Sequence, residues 1–150
     1  MSEQVGKNFA DFSIVFFNLT KSIFRQENQI RANSLAFQVL IDLNQLSQKG
    51  QTITMSGLAD DLQITKQQLS KLVNALEEKE LVERIHDKEN RRQVNIRITK
   101  SGQELMHGLR TKLQETTAQR LSVCSSQELL QIEQALEILM PVLDKLSSGS

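Results

Sequence analysis

Residues 52–102 read TITMSGLADDLQITKQQLSKLVNALEEKELVERIHDKENRRQVNIRITKSG. The deciding part begins at Ile64-Thr65-Lys66-Gln67-Gln68. Thr65 is a strong helix N-cap, because its hydroxyl can accept from an unsatisfied N–H of the first turn. Gln68, three residues on, completes a capping box, and Ile64 with Leu69 can form a hydrophobic staple. The helix that follows is predicted to run to about Lys79. Leu69, Leu72, Val73 and Leu76 fall on one face at helical spacing. Gln67, Lys71 and Asn74 fall on the opposite face, with Ser70 and Lys66 beside them.

Those outer residues carry amide, hydroxyl and ammonium groups, which can read base edges or hold phosphates. They also suit an ordinary solvated face. The preceding segment bears on the choice. Met55, Leu58, Ala59 and Leu62 make a short amphipathic helix with Ser56 near its start, and Ile64 lies in the turn. A short helix, a tight turn and a capped second helix have the spacing of a helix-turn-helix. Helix pairs of this kind also occur in bundles that never touch DNA.

Beyond the pair, Val94–Thr99 alternates apolar and polar residues and reads as a strand with one buried face. Leu81–His86 is its partner strand. Between them, Asp87–Gln93 is polar and turn-forming. Lys88, Arg91 and Arg92 make the tip basic, which suits a minor-groove or phosphate contact, or a solvated loop. From Arg84 to Lys100 the cations are Arg84, Lys88, Arg91, Arg92, Arg97 and Lys100, against Asp87 and Glu89. With Thr52–Thr54 as a first short strand, the order is that of a winged helix-turn-helix.

The joined run from Leu81-Val82-Glu83-Arg84 through Asn90-Arg91-Arg92 to Ile98-Thr99-Lys100-Ser101-Gly102 resembles the MarR family of bacterial transcription regulators. The resemblance covers about residues 30–120 and reaches the ends by pattern only. It implies that the Thr65–Lys79 helix is the recognition helix and that Arg91 or Arg92 is the groove contact of the wing. It also implies a homodimer that binds a pseudo-palindromic operator in double-stranded DNA, with recognition helices about 10 bp apart. Family members usually carry Gly where Gln63 and Glu80 stand. They often carry an acidic residue where Asn90 stands, and it braces the second wing Arg. Closure of the recognition helix at Glu80 is therefore expected by another route, over an extra turn.

The expected interface comprises Thr65, Lys66, Gln67, Gln68, Ser70, Lys71 and Asn74 on the helix, and Lys88, Asn90, Arg91 and Arg92 on the wing. Gln67, Ser70, Lys71 and Asn74 are the base-edge candidates. Gln67 or Asn74 suits adenine and Lys71 guanine. Ser56, Thr65, Lys66 and Lys88 suit phosphates.

The chain has 150 residues, 39% apolar and 24% charged, with zero formal net charge. That is enough for one globular domain. Global charge offers nucleic-acid binding no support, so the distribution of charge decides. A helix is expected over about residues 5–28, with Phe9, Phe12, Phe16, Leu19 and Ile23 in one stripe and Ile14, Phe17 and Phe24 on other sides. It is either a core helix or one shared with a second subunit. Another helix is expected over 32–48, with Leu35, Val39, Leu43 and Leu46 on one face and Gly50 as the stop.

After the wing, Thr99 can cap a helix from Lys100 to about Leu121. Ser125-x-x-Glu128 opens a last helix. Its narrow seam of Leu129, Ile132, Leu136, Leu139, Leu143 and Leu146 suits coiled-coil-like packing, and Pro141 is expected to bend or loosen its end. The expected architecture is mainly α with a small antiparallel β-sheet. Residues 32–102 form the winged helix-turn-helix region, and 1–31 and 103–150 form a helical dimerisation base.

No cofactor is expected, and no enzyme: nucleophile–base pairs, phosphate loops and convergent acids are missing. His86 and His107 lack a second ligand at metal spacing. No apolar run spans a membrane and no signal peptide is evident, so a cytoplasmic protein is expected. Many members of the family are released from DNA by small aromatic anions. The matching walls here include Phe16, Phe37 and Met106. Arg25 and Arg31 are either anion contacts or surface charges. Two other readings stay open: a winged-helix dimer that acts through a protein partner, and a redox-responsive regulator that uses Cys124.

Overall fold

The computed structural model describes residues 2–24, 34–86 and 93–148. Among these, six helices and three strands follow in the order α1 (Ser2–Phe24), α2 (Leu35–Gln48), β1 (Ile53–Thr54), α3 (Met55–Asp61), α4 (Lys66–Glu78), β2 (Val82–His86), β3 (Val94–Ile98), α5 (Lys100–Leu121) and α6 (Ser126–Ser148). The chain divides into two compact units, residues 1–113 and 114–150, with the boundary inside α5. No described helix is long and apolar enough to cross a membrane.

The core of the first unit is built from the helices and strands of the winged region. Val39, Leu40 and Leu43 of α2 meet Leu58 and Ala59 of α3, Leu69, Val73 and Leu76 of α4, and Ile96 and Ile98 of β3. All are close to fully buried. Burying a Leu, Ile or Val side chain contributes about 1.5–3 kcal/mol, so this cluster fixes how α3 and α4 lie against the sheet. The sheet order is β1-β3-β2, antiparallel throughout, with Ile53 opposite Ile96 and Arg84 opposite Ile96 from the other side. The expected alternation holds: Ile96 and Ile98 are buried and Arg97 between them is exposed.

Helix starts follow their side-chain caps. Ser34 accepts from Phe37 N–H at 3.2 Å, so α2 begins at Leu35 rather than at residue 32. Thr54 caps α3, accepting from Gly57 N–H at 2.9 Å. Both halves of the Thr65/Gln68 box are present, at 3.1 and 2.9 Å. Thr99 accepts from Gly102 N–H at 3.0 Å and opens α5.

Three helix ends close in one way. Gly50, Gln63 and Glu80 each adopt a left-handed backbone, with φ of 65°, 54° and 58°. The N–H of each bonds back three residues, to Ser47, Asp60 and Glu77. The next N–H, of Gln51, Ile64 or Leu81, bonds back five residues, to Leu46, Ala59 or Leu76. This double bond pattern is the Schellman closure. The extra turn expected at Glu80 is therefore absent. The helix closes as a glycine would close it, and Leu81, 8% exposed, covers Leu76, 3% exposed, to offset the left-handed strain.

On α1, Val5, Phe12, Ile14, Val15, Phe16, Phe17 and Leu19 are exposed. Within one chain α1 is thus not the core helix that its apolar content allows. In the second unit, Ser125 N–H donates to Glu128 Oε2 at 2.7 Å and Ser125 Oγ accepts from Glu128 N–H at 3.3 Å, as the capping box predicts. Pro141 lies inside α6, which stays helical to Ser148. Ile132, Leu139 and Leu143 of the predicted seam are half-buried, while Leu129, Leu136 and Leu146 are exposed.

Candidate nucleic-acid interface

Helix α4 turns Leu69, Val73 and Leu76 inward. The same geometry turns Lys66, Gln67, Lys71 and Asn74 outward, where all four are exposed, while Ser70 is half-buried. The helix therefore presents one polar strip, and the capping box fixes where that strip starts. The side chains of Thr65 and Gln68 are already engaged, since each caps the other's backbone N–H. Ser56 is half-buried on α3.

The strip is tied to β2 by Arg84. Its guanidinium pairs with the Glu77 carboxylate, and its backbone N–H donates to Glu77 Oε1 at 3.0 Å. The other end of the guanidinium donates to Asn74 Oδ1 at 2.8 Å, and more loosely to Ser70 Oγ at 3.3 Å and Ser70 O at 3.4 Å. Two base-edge candidates, Ser70 and Asn74, thus share one cation. From sequence, Arg84 counts only as one cation of a basic wing. A signal is nevertheless present: Arg84 shares a strand face with buried Val82, and a cation at a half-buried strand position requires an acceptor.

Arg97 Nε pairs with Glu83 Oε1 at 2.6 Å across the β2–β3 ladder. Arg84 and Arg97 are therefore compensated cations rather than part of a free excess, because packing of α4 against β2 brings Glu77 to Arg84 and the ladder register brings Glu83 to Arg97. Lys66 and Lys71 are in no ion pair among the described residues. The wing-tip candidates Lys88, Asn90, Arg91 and Arg92 lie outside the described residues, as do Arg25 and Arg31.

Phe37 is buried, Phe16 is 53% exposed on α1, and Met106 is half-buried. Met106 lines an open polar cleft between α2 and α5 with Asn44, Ser47, Gln48, Gln103, His107 and Arg110. Neither Phe16 nor Phe37 lines that cleft. Gln103 Nε2 donates to Ser47 Oγ across it at 2.7 Å. Cys124 is half-buried in the turn between α5 and α6. Among the described residues no group of His, Cys, Asp or Glu could hold a metal ion.

The model of the MarR family matches residues 27–94. That match falls on the helix-turn-helix and the strands that follow it, and it spans less than half of the chain. The solved structures agree with that MarR-type fold along most of the chain. The transcriptional regulator Tm0710 from Thermotoga maritima is 19% identical with a TM-score of 0.74, covering 96% of this chain and 99% of its own. A mutant of MepR from S. aureus, bound to an oligodeoxyribonucleotide, is 24% identical with a TM-score of 0.64, covering 93% and 97%. S. aureus MepR bound to ethidium bromide is 24% identical with a TM-score of 0.59, covering 88% and 93%. At these identities the likeness is one of fold. Comparison with curated proteins gives no match.

Proposed function

We propose that the chain is a DNA-binding transcription regulator that acts as a homodimer on a pseudo-palindromic operator. The observation that carries this reading is the α4 strip. A capped, core-anchored helix holds Lys66, Gln67, Lys71 and Asn74 outward, and its Asn74 is joined through Arg84 to β2 of the adjoining sheet. A rigid helix with exposed amide and ammonium groups is what major-groove reading needs. The oligonucleotide carried by the similar MepR mutant supports the same reading.

In this reading Gln67, Ser70, Lys71 and Asn74 face base edges. Thr65, Lys66, Gln68 and Ser56 lie near the backbone, and Lys88, Asn90, Arg91 and Arg92 reach from the wing. The dimer contact is supplied by residues 1–31 and 103–150. The exposed Phe12, Phe16 and Phe17 of α1 and, separately, the exposed Leu129, Leu136 and Leu146 of α6 support it, because apolar patches of this kind mark association surfaces. Repression follows from occlusion of the promoter. Release by a small apolar or aromatic effector is the regulatory step, and the ethidium bound by MepR supports it.

The test is fluorescence anisotropy of the purified protein on its own upstream DNA, with a scrambled duplex as control, over a salt series. Selective binding should weaken with salt at a log–log slope of about −0.9 per phosphate contact. Equal, weak binding to both duplexes at every salt concentration would reject the regulator reading.

A further inference from the structure

We infer that Arg84 makes Asn74 a donor-only reader, so that α4 selects a base edge whose facing groups are acceptors, guanine or thymine, and disfavours adenine, whose N6 amino donor stands beside N7, at the position Asn74 reaches. The inference rests on the DNA-binding reading and adds a specificity rule to it.

The geometry is asymmetric. Asn74 Oδ1 receives an Arg84 N–H at 2.8 Å. The reversed carboxamide would point its own N–H bonds at the guanidinium, which carries only donors. The oxygen is therefore turned toward Arg84 and the NH₂ group toward solvent. Arg84 cannot easily swing away, because its other end is held by Glu77 and its backbone N–H by the same carboxylate.

An unhindered Asn reads adenine with both ends, accepting from N6–H and donating to N7. Here the accepting end is occupied. A second lone pair remains on Oδ1, but a full positive charge beside it weakens it as an acceptor. An adenine N6 amino group bonded to that oxygen would also lie within about 6 Å of the guanidinium nitrogen. The positive ends of two donors then face each other. Guanine O6 and N7 and thymine O4 reverse the sign, and Arg84 attracts them.

Ser70 follows the same logic. Its Oγ accepts from Arg84 at 3.3 Å, which leaves the hydroxyl hydrogen to donate. With Lys71, which only donates, three neighbouring positions on α4 offer hydrogens. Gln67 shares no hydrogen bond with this cation and keeps both its donor and its acceptor.

The test is selection of bound duplexes from a randomised pool by the full-length protein, the Asn74→Ala variant and the Arg84→Lys variant. Lysine keeps a cation for Glu77 but lacks the planar fork that reaches two acceptors at once. The wild type should prefer guanine or thymine over adenine by about tenfold at one symmetry-related position. Asn74→Ala should flatten that position alone, and Arg84→Lys should raise adenine there to near parity. Adenine or cytosine at the Asn74-dependent position in the wild type overturns the inference and leaves the regulator reading standing. So does an Asn74→Ala variant that alters no position. A wild type that enriches no sequence overturns both. Melting curves check each variant, and if Arg84→Lys does not fold, the comparison of wild type with Asn74→Ala decides.

Discussion

Glu77 holds Arg84 at two points, its Oε1 accepting from the Arg84 backbone N–H at 3.0 Å while its Oε2 pairs with the guanidinium. The first bond fixes where β2 leaves α4, and the second fixes the side chain that reaches Asn74. Both groups are partly shielded, at 30% and 22% exposure. The pair is therefore worth more than a surface ion pair.

Glu77→Ala should lower stability by about 2 kcal/mol, in the range for hydrogen bonds to charged groups. Glu77→Gln should lose less, because its carbonyl oxygen can still accept from the Arg84 N–H. Urea denaturation at one protein concentration checks both. Equal midpoints for Ala and Gln would show that the backbone bond contributes nothing.

Glu80 and Gln63 occupy the left-handed position of two Schellman closures without being glycine. A side chain there costs about 1–2 kcal/mol. Glycine removes that strain but costs about 0.5–1 kcal/mol in unfolded-chain entropy. Glu80→Gly and Gln63→Gly should therefore each stabilise the protein, by about 0.5 kcal/mol. Gly50→Ala, at the third closure, should destabilise by a similar or larger amount. Thermal melts of the three variants test the set. Destabilisation by Glu80→Gly would mean that its side chain makes up for the strain.

Much of the local structure is legible in the sequence, and the part that is not has a physical cause. Thr65-x-x-Gln68 and Ser125-x-x-Glu128 act through bonds three residues apart, so local sequence predicts them. The alternation in Val94–Ile98 likewise predicts the buried face. The closure at Glu80 escapes a sequence reading because a preference for glycine is not a requirement for it. The backbone bonds from Glu80 to Glu77 and from Leu81 to Leu76 hold the conformation whatever the side chain. The role of Arg84 escapes it because the partners Ser70, Asn74 and Glu77 are brought to it only by the packing of α4 against β2. The pairing of Arg97 with Glu83 is hidden likewise, since a ladder register has to be known first.

Gly102 sits where α5 begins against the α4–β2 junction. A Cβ there would lie 2.2 Å from Leu81 O and 2.6 Å from Ile98 Cγ1. The Leu81 carbonyl cannot yield freely, because it accepts from Thr99 N–H at 3.0 Å. Thr99 Oγ1 also donates to Glu80 O at 2.6 Å. Gly102→Ala should therefore destabilise by about 1–3 kcal/mol through overpacking. Gly108→Ala, with nothing near its Cβ position, should be neutral or stabilising as a mid-helix Gly replacement. A thermal shift for each measures the contrast.

Lys66 and Lys71 lie on the same strip with different expected roles. Lys66, in the first turn of α4, suits a phosphate, and Lys71, a turn further on, suits a base edge. Lys66→Ala should weaken binding evenly across duplexes and reduce the salt slope by about one contact. Lys71→Ala should weaken the preferred duplex more than a scrambled one. Anisotropy on both duplexes, with each variant, separates the two. Identical losses on both duplexes for Lys71→Ala would move it to the backbone class.

Asp42 on α2 gives the protein a pH response of defined sign. Burial raises its pKa above the ordinary 3.8, the Gln38 hydrogen bond opposes this, and the charge of Asp61 adds to it. The folded state therefore holds a proton at pH values where the unfolded chain has released it. Stability from this group rises as pH falls through the folded pKa, and levels off below the unfolded one. Above the folded pKa the ionised carboxylate is a cost to folding. Asp42→Asn should therefore raise the denaturation midpoint at pH 7, since the Asn oxygen can still accept from Gln38 Nε2, which lies 2.8 Å from Asp42 Oδ1 in the wild type. The gain should shrink as pH is lowered toward the unfolded pKa. Urea titrations of both proteins at pH 7, 5 and 4 measure it. A gain that stays constant with pH would assign the effect to packing rather than to the charge.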